Sequence, residues 1–170
     1  VNTTLLEFYW NLGEEIVEKQ EEHKWGSGFL AKLSRDLSSE FSDIKGFSYR
    51  NIRFIKQWYL FWQQAVANME NENWQQLVAI LFQVPWGHHQ IILNKIKNVD
   101  EAIYYVQNTM KNGISRDILL HQIESNLFER DGKAITNFEN TLPPIQSDLA
   151  QEITKNPYNF DFLALTQDYQ

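Results

Sequence analysis

The chain has 170 residues, a formal net charge of -7 and no cysteine, and 43 % of it is hydrophobic and 14 % aromatic. That much apolar side chain excludes a disordered segment and allows one packed core or two small ones, while the missing cysteines exclude disulfide scaffolds and thiolate metal sites. No apolar run approaches the roughly 18 residues of a membrane span and no basic-then-apolar start marks a leader, so the expectation is a cytoplasmic protein with no membrane partner. A chain that starts at Val1 also reads as a piece of a longer one.

In chain order, Leu5, Leu6, Tyr9, Leu12, Ile16 and Val17 recur at helical spacing and predict a first helix over about Thr3 to Glu22, with Thr4 and Glu7 as a capping box. Its other face carries Glu7, Glu14, Glu15, Glu18, Glu21 and Glu22 against Lys19, a solvated face or a docking surface for a basic partner. A turn at Lys24 to Gly28 leads to a helix over about Phe29 to Phe41, with Leu30, Leu33, Leu37 and Phe41 inward. Ser42 to Phe47, which contains Gly46, connects it to a third helix that Ser48 is placed to cap.

That third helix carries the strongest clue to a partner. Ile44 to Trp58 holds Lys45, Arg50, Arg53 and Lys56 with no acid, in a chain that is acidic overall. With about 100° per residue and Arg50 at zero, Arg53 and Lys56 fall near 300° and 240°, with Gln57, Gln63 and Gln64 in the same sector. Ile52, Phe54, Ile55, Trp58, Tyr59, Phe61 and Trp62 fill the opposite arc, and only Leu60 is out of place. An aromatic core face and a separate cationic face on one helix suit nucleic-acid contact. Ser48, Tyr49, Arg50, Asn51 and Arg53 would then sit at the helix start, where a recognition helix meets base edges and phosphates. Lys45, Arg50, Arg53 and Lys56 would take phosphates or guanine edges, Asn51 would read adenine, and Tyr49 would pack against the backbone. Helix, connector, helix is a helix-turn-helix-like order, although this connector exceeds the three to four residues of the simplest motif.

The polar run Asn68 to Gln76 is the natural internal boundary. Beyond it, helices are predicted over about Trp74 to Phe82 and, after Pro85, over Trp86 to Ile96. Asn98 with Glu101 caps the next, ending near Lys111. Asn112-Gly113-Ile114 is a turn, and Ser115 opens a helix to about Arg130. This second pair has the better turn length, but Asp117, Glu124 and Glu129 make it a structural hairpin rather than a DNA reader. Asp131 to Pro144 reads as loop, Ile145 to Thr154 as a short helix and Asn156 to Leu165 as an aromatic tail. The fold class is therefore all-α, with room for a minor β-hairpin. Residues 1–67 form a helix-turn-helix-like unit and 73–165 a second helical unit packed on it.

Catalytic chemistry is nearly absent from the pattern. His88 and His89 are adjacent, diverge on a helix and cannot share a metal. The carboxylate-x-lysine triplets at Glu22/Lys24, Asp43/Lys45 and Asp131/Lys133 fall at helix ends or turns, whereas metal-dependent nucleases need them on a strand whose alternate residues point one way. No catalytic residue, metal site or cofactor is expected.

Short motifs follow one another along the chain: Tyr9-Trp10 with Gly13, Trp25-Gly26, Leu33-Ser34-x-Asp36-Leu37, Gly46-Phe47-Ser48-x-Arg50-Asn51, Pro85-Trp86-Gly87-His88, Ser115-Arg116 with Gln122-Ile123, Thr136-Asn137-Phe138 with Leu142-Pro143, Gln146-Ser147-Asp148-Leu149-Ala150, and Lys155-x-Pro157-Tyr158-x-Phe160-Asp161-Phe162-Leu163. In this order they resemble the N-terminal domain of the YhcG-like family of bacterial predicted PD-(D/E)XK nucleases, a domain of unknown function. In that family the last motif immediately precedes the nuclease domain. The resemblance thus implies that the nuclease carboxylates and lysine lie outside this chain, that it is not itself an enzyme, and that it works beside a DNA-cutting module. The expected function is a non-catalytic DNA-binding or targeting domain of a larger nuclease, its partners being DNA and the nuclease domain of the same protein. The competing expectation is an interaction module that forms a homodimer or docks a partner through the acidic first helix.

Overall fold

The computed structural model describes residues 2–24, 26, 28–67, 69 and 73–131, and in these the regular secondary structure is all helix. Eight helices occur among the described residues: α1 (Thr3–His23), α2 (Phe29–Glu40), α3 (Tyr49–Ala67), α4 (Asn73–Leu81), α5 (Trp86–Lys95), α6 (Val99–Asn112), α7 (Arg116–Glu124) and α8 (Leu127–Arg130). The all-α expectation holds, and the minor hairpin finds no strand among these residues. The helix and tail expected after Asp131 lie outside them. The chain divides into two compact units; among the described residues one is 8–63 and the other is 2–7 with 64–131.

In the 8–63 unit the apolar stripe of α1 supplies buried Tyr9, Leu12, Ile16 and Val17, and α3 answers with Ile52, Ile55, Trp58, Tyr59 and Trp62. Trp10 meets Trp58 and Tyr59 edge-on, with ring centroids 5.5 and 5.1 Å apart, a geometry that aligns ring edge with ring face. This approach depends on Gly13. A Cβ there would lie 2.6 Å from Tyr59 Cβ and 3.3 Å from the Ile55 carbonyl oxygen, so any larger residue would hold the two helices apart. Helix α2 buries Phe29, Leu33, Ser34 and Leu37. Leu30 and Phe41, expected inward, are only half-buried, because α2 presents Phe29 and Ser34 to the core in their place.

In the other unit the breaks between helices follow local chemistry. Asn2 Oδ1, rather than the expected Thr4–Glu7 box, accepts from Leu5 N at 3.1 Å and starts α1. Asn98 Oδ1 accepts from Glu101 N at 3.0 Å to start α6, and Ser115 Oγ accepts from Ile118 N at 3.3 Å to start α7. The single helix expected from Ser115 to Arg130 is instead interrupted. Asn126 turns left-handed (φ 55°), which sends Phe128 inward against Tyr104, and Phe128 N donates to the Tyr105 hydroxyl at 3.3 Å. The Tyr104 hydroxyl bonds to Asp131 and ties the end of α8 to α6.

The two adjacent histidines of α5 part as their spacing predicts. His88 Nε2 donates to the Ile114 carbonyl and His89 Nε2 to the Leu81 carbonyl, each at 2.8 Å. Burial, above all, lowers the His89 pKa to about 4, so the ring is neutral. His88 Nδ1 is buried without a hydrogen-bond partner among the described residues.

Candidate nucleic-acid interface

The start of α3 is held by a loop that the rest of the 8–63 unit grips from three sides. Residues 41–48 connect α2 to α3. Within them Gly46 adopts φ +133° and turns its open side to the Tyr9 hydroxyl, where a Cβ would collide. The next residue, Phe47, is buried against Phe8 and Phe41, with centroids 5.8 and 5.9 Å away. Its carbonyl accepts from Ser34 Oγ at 2.5 Å and from Ser38 Oγ at 3.4 Å, both on α2. From α3, Asn51 Nδ2 donates to the Gly46 carbonyl at 2.5 Å and to the Tyr9 hydroxyl at 3.5 Å. Ser48 Oγ accepts from Asn51 N at 3.2 Å and caps α3, as its position before the helix predicts.

Two of the seven candidate site residues therefore work inside the fold. Ser48 holds the helix end. Asn51, expected to offer its amide to adenine, has its amide nitrogen committed to Gly46 and Tyr9. The other five face outward: Lys45, Tyr49, Arg50 and Arg53 are exposed and Lys56 is half-buried. Gln57, Gln63 and Gln64 are exposed on the same helix, while the opposite arc is buried except for half-buried Phe61; Leu60, out of place in the polar sector, is also half-buried.

Among the described residues, no counter-charge is paired with the cations of this face. Ion pairs among the described residues include Lys19 with Glu22 and Lys95 with Glu124, and none is seen at Lys45, Arg50, Arg53 or Lys56. The Arg53 guanidinium instead lies 5.9 Å from the centroid of the Tyr49 ring, within reach of a cation–π attraction. The acid nearest in sequence is exposed Asp43, before Lys45. On α1, Glu14 meets α3 through the Tyr59 hydroxyl, which donates to it at 3.4 Å. Burial and the neighbouring Glu18 raise the Glu14 pKa, with the Tyr59 bond opposing them, and burial likewise raises that of Tyr59.

Nothing among the described residues assembles a metal centre from three or more His, Asp or Glu. Glu22 and Lys24 lie at the end of α1, Asp43 and Lys45 in the 41–48 loop and Asp131 just past α8, so none is on a strand. Lys133 lies outside the described residues. No described helix is long and apolar enough to cross a membrane.

The description "DUF1016 N-terminal domain" matches residues 1–130. The chain belongs to that family. A curated relative, "Putative nuclease YhcG" of Escherichia coli (strain K12), is 25 % identical over 198 residues, covering 99 % of this chain and 52 % of the relative. The chain thus spans about half the length of that protein. No solved structure matches it. For this DUF1016 N-terminal domain, pattern alone found the cationic face. It missed Tyr9, Ser34 and Ser38, which fix the loop beneath that face. The sequence marks Tyr9 as an inward position of α1 and Ser34 as standing between apolar positions of α2, but neither pattern names the loop as their partner.

Proposed function

We propose that this DUF1016 N-terminal domain is a non-catalytic DNA-binding or targeting part of a larger nuclease. In this reading α2, the 41–48 loop and α3 act as a helix-turn-helix variant with α3 as the contacting helix. The observation that carries the reading is the exposure of Lys45, Arg50 and Arg53, with half-buried Lys56, on a face where no described carboxylate pairs with them. In a chain of net charge -7, such a face keeps its attraction for polyanions local, and a single-face contact is the outcome. Had Arg50 and Arg53 been buried against Glu14 or Glu18, the dimer or docking-module reading would have gained. Glu14 is instead turned to Tyr59. Lys45, Arg50, Arg53 and Lys56 are the proposed phosphate or guanine-edge contacts, and Asn51 drops out as an adenine reader.

The test is fluorescence anisotropy of a labelled duplex with this chain at several salt concentrations. Four phosphate contacts give a slope of log affinity against log salt of roughly -3 to -4, and losing one cation reduces it by about one. Arg50→Glu with Arg53→Glu abolishes binding and leaves the melting temperature unchanged, since both side chains stand outside the core. Glu18→Gln with Glu21→Gln, on exposed positions of α1, does not weaken binding. No binding by the wild type at low salt, or full binding by the charge-reversed pair, defeats the proposal.

A further inference from the structure

The cationic face carries something that phosphate attraction does not require. Three large hydrophobic side chains stand well exposed among the described residues, Ile44 (48 %), Tyr49 (44 %) and Ile118 (49 %). Two of them bracket Lys45 and the pinned Gly46–Ser48 segment. Tyr49 is the first residue of α3, followed directly by Arg50, with Arg53 against its ring at 5.9 Å. An apolar ring left in water beside three cations is a poor arrangement for solubility and a suitable one for stacking, because every nucleobase offers a π-face and sits on a phosphate chain.

Resting on the DNA-binding proposal above, we infer that Tyr49 is a base-stacking platform and that the face takes a strand with unpaired bases: a single strand, a flap or a frayed end. Within a continuous duplex each base face is already covered by its neighbours, so only edges and phosphates are open to the protein. Tyr49 can therefore stack only where the duplex is interrupted. Lys45, Arg50 and Lys56 then meet phosphates on either side of the stacked base, Arg53 supports the ring, and Ile44 gives a second apolar contact.

The platform is pre-set. The carbonyls of Gly46 and Phe47, three and two residues before Tyr49, are held by Asn51, Ser34 and Ser38, and Ser48 caps the helix that Tyr49 begins. Little backbone freedom remains to be lost on binding.

The test uses this chain with four labelled probes: a blunt duplex, the same duplex with a single-stranded overhang, the corresponding single strand, and that strand with an abasic tract. The overhang and the single strand are expected to bind about five-fold or more tightly than the blunt duplex, in keeping with the usual worth of one stacked base. The abasic tract loses that advantage while keeping its phosphates. Tyr49→Ala removes the preference, bringing the overhang and the single strand down to the affinity of the blunt duplex for the same variant, and leaves the melting temperature in place, while Tyr49→Phe retains the preference because the ring remains. Equal affinity for duplex and single strand, or a preference that survives Tyr49→Ala, overturns the stacking inference. The charge-reversed Arg50/Arg53 variant separates the two proposals. If it loses all binding while the stacking arms fail, DNA contact stands without stacking; if the wild type binds none of the four probes, both fall.

Discussion

Replacing Gly13 with alanine should destabilise this protein, against the usual direction of that change in a helix. In an exposed helix interior Gly→Ala gains about 1 kcal/mol. At Gly13 the new Cβ would sit 2.6 Å from Tyr59 Cβ, 3.1 Å from Tyr59 Cγ and 3.3 Å from the Ile55 carbonyl oxygen, whereas carbon atoms rest about 3.5 to 4.0 Å apart. The obstructing atom is bonded directly to the α3 backbone, so no side-chain rotation removes it. Helices α1 and α3 must separate by about 1 Å, which loosens the contact of Trp10 with Trp58 and Tyr59. Overpacking costs about 1 to 3 kcal/mol; a contact this short with an atom bonded to the backbone falls in the upper part of that range, about 2 to 3 kcal/mol, and after the propensity gain of about 1 kcal/mol the net loss is about 1 to 2 kcal/mol. In a chain of this size that lowers the melting temperature by about 2 to 8 °C. Circular dichroism melts of the wild type and Gly13→Ala measure it. Gly87→Ala is the comparator, since its nearest obstacle, Arg116 Cδ at 2.9 Å, belongs to an exposed side chain that can move aside; its melt stays within a degree or so of wild type. A Gly13→Ala protein that melts at or above the wild type refutes the close-approach argument.

Trp58 is fully buried, and Trp58→Ala should cost on the order of 3 to 5 kcal/mol in a denaturant titration; an unchanged midpoint would mean that the inward arc of α3 is misassigned. His89, neutral in the fold with a pKa lowered to about 4 from 6.5, takes up a proton only on unfolding between those values. Its contribution is therefore complete above pH 6.5 and lost as pH falls toward 4, by about 1.4 kcal/mol per unit. The raised carboxyls Glu14 and Glu101 act in the opposite sense, so the measurement is the difference between wild type and His89→Gln, and a difference flat across that window rejects the assignment. This chain should not nick supercoiled DNA with Mg²⁺ or Mn²⁺; nicking that survives repurification and disappears in Asp131→Asn or Glu22→Gln would overturn that expectation.

Much of the fold is decided by neighbours in sequence and is legible there. The two faces of α3 follow from the period of Ile52, Ile55, Trp58, Tyr59 and Trp62 against Arg50, Arg53 and Gln57, and burial divides them the same way. Ser48, Asn98 and Ser115 cap the helices that follow them because a short polar side chain reaches an amide three residues on, whatever the rest of the chain does. The start of α1 moved to Asn2 for the same kind of reason, a competition between two adjacent local caps.

What only the tertiary structure decided involves partners distant in sequence. Asn51 looks like a base reader on a wheel, but Tyr9, 42 residues away, and the Gly46 carbonyl take its amide. Gly13 looks like a weak point in a helix until Tyr59 arrives against it. The helix through Ser125 and Asn126 has adequate local propensity, yet it breaks where Phe128 turns toward Tyr104 and Tyr105. The cations themselves were readable from residue type and period. That they stand clear of the carboxylates of α1 was not, because charge pairing depends on which helix faces pack together, and a periodic pattern specifies a face without naming what lies opposite it.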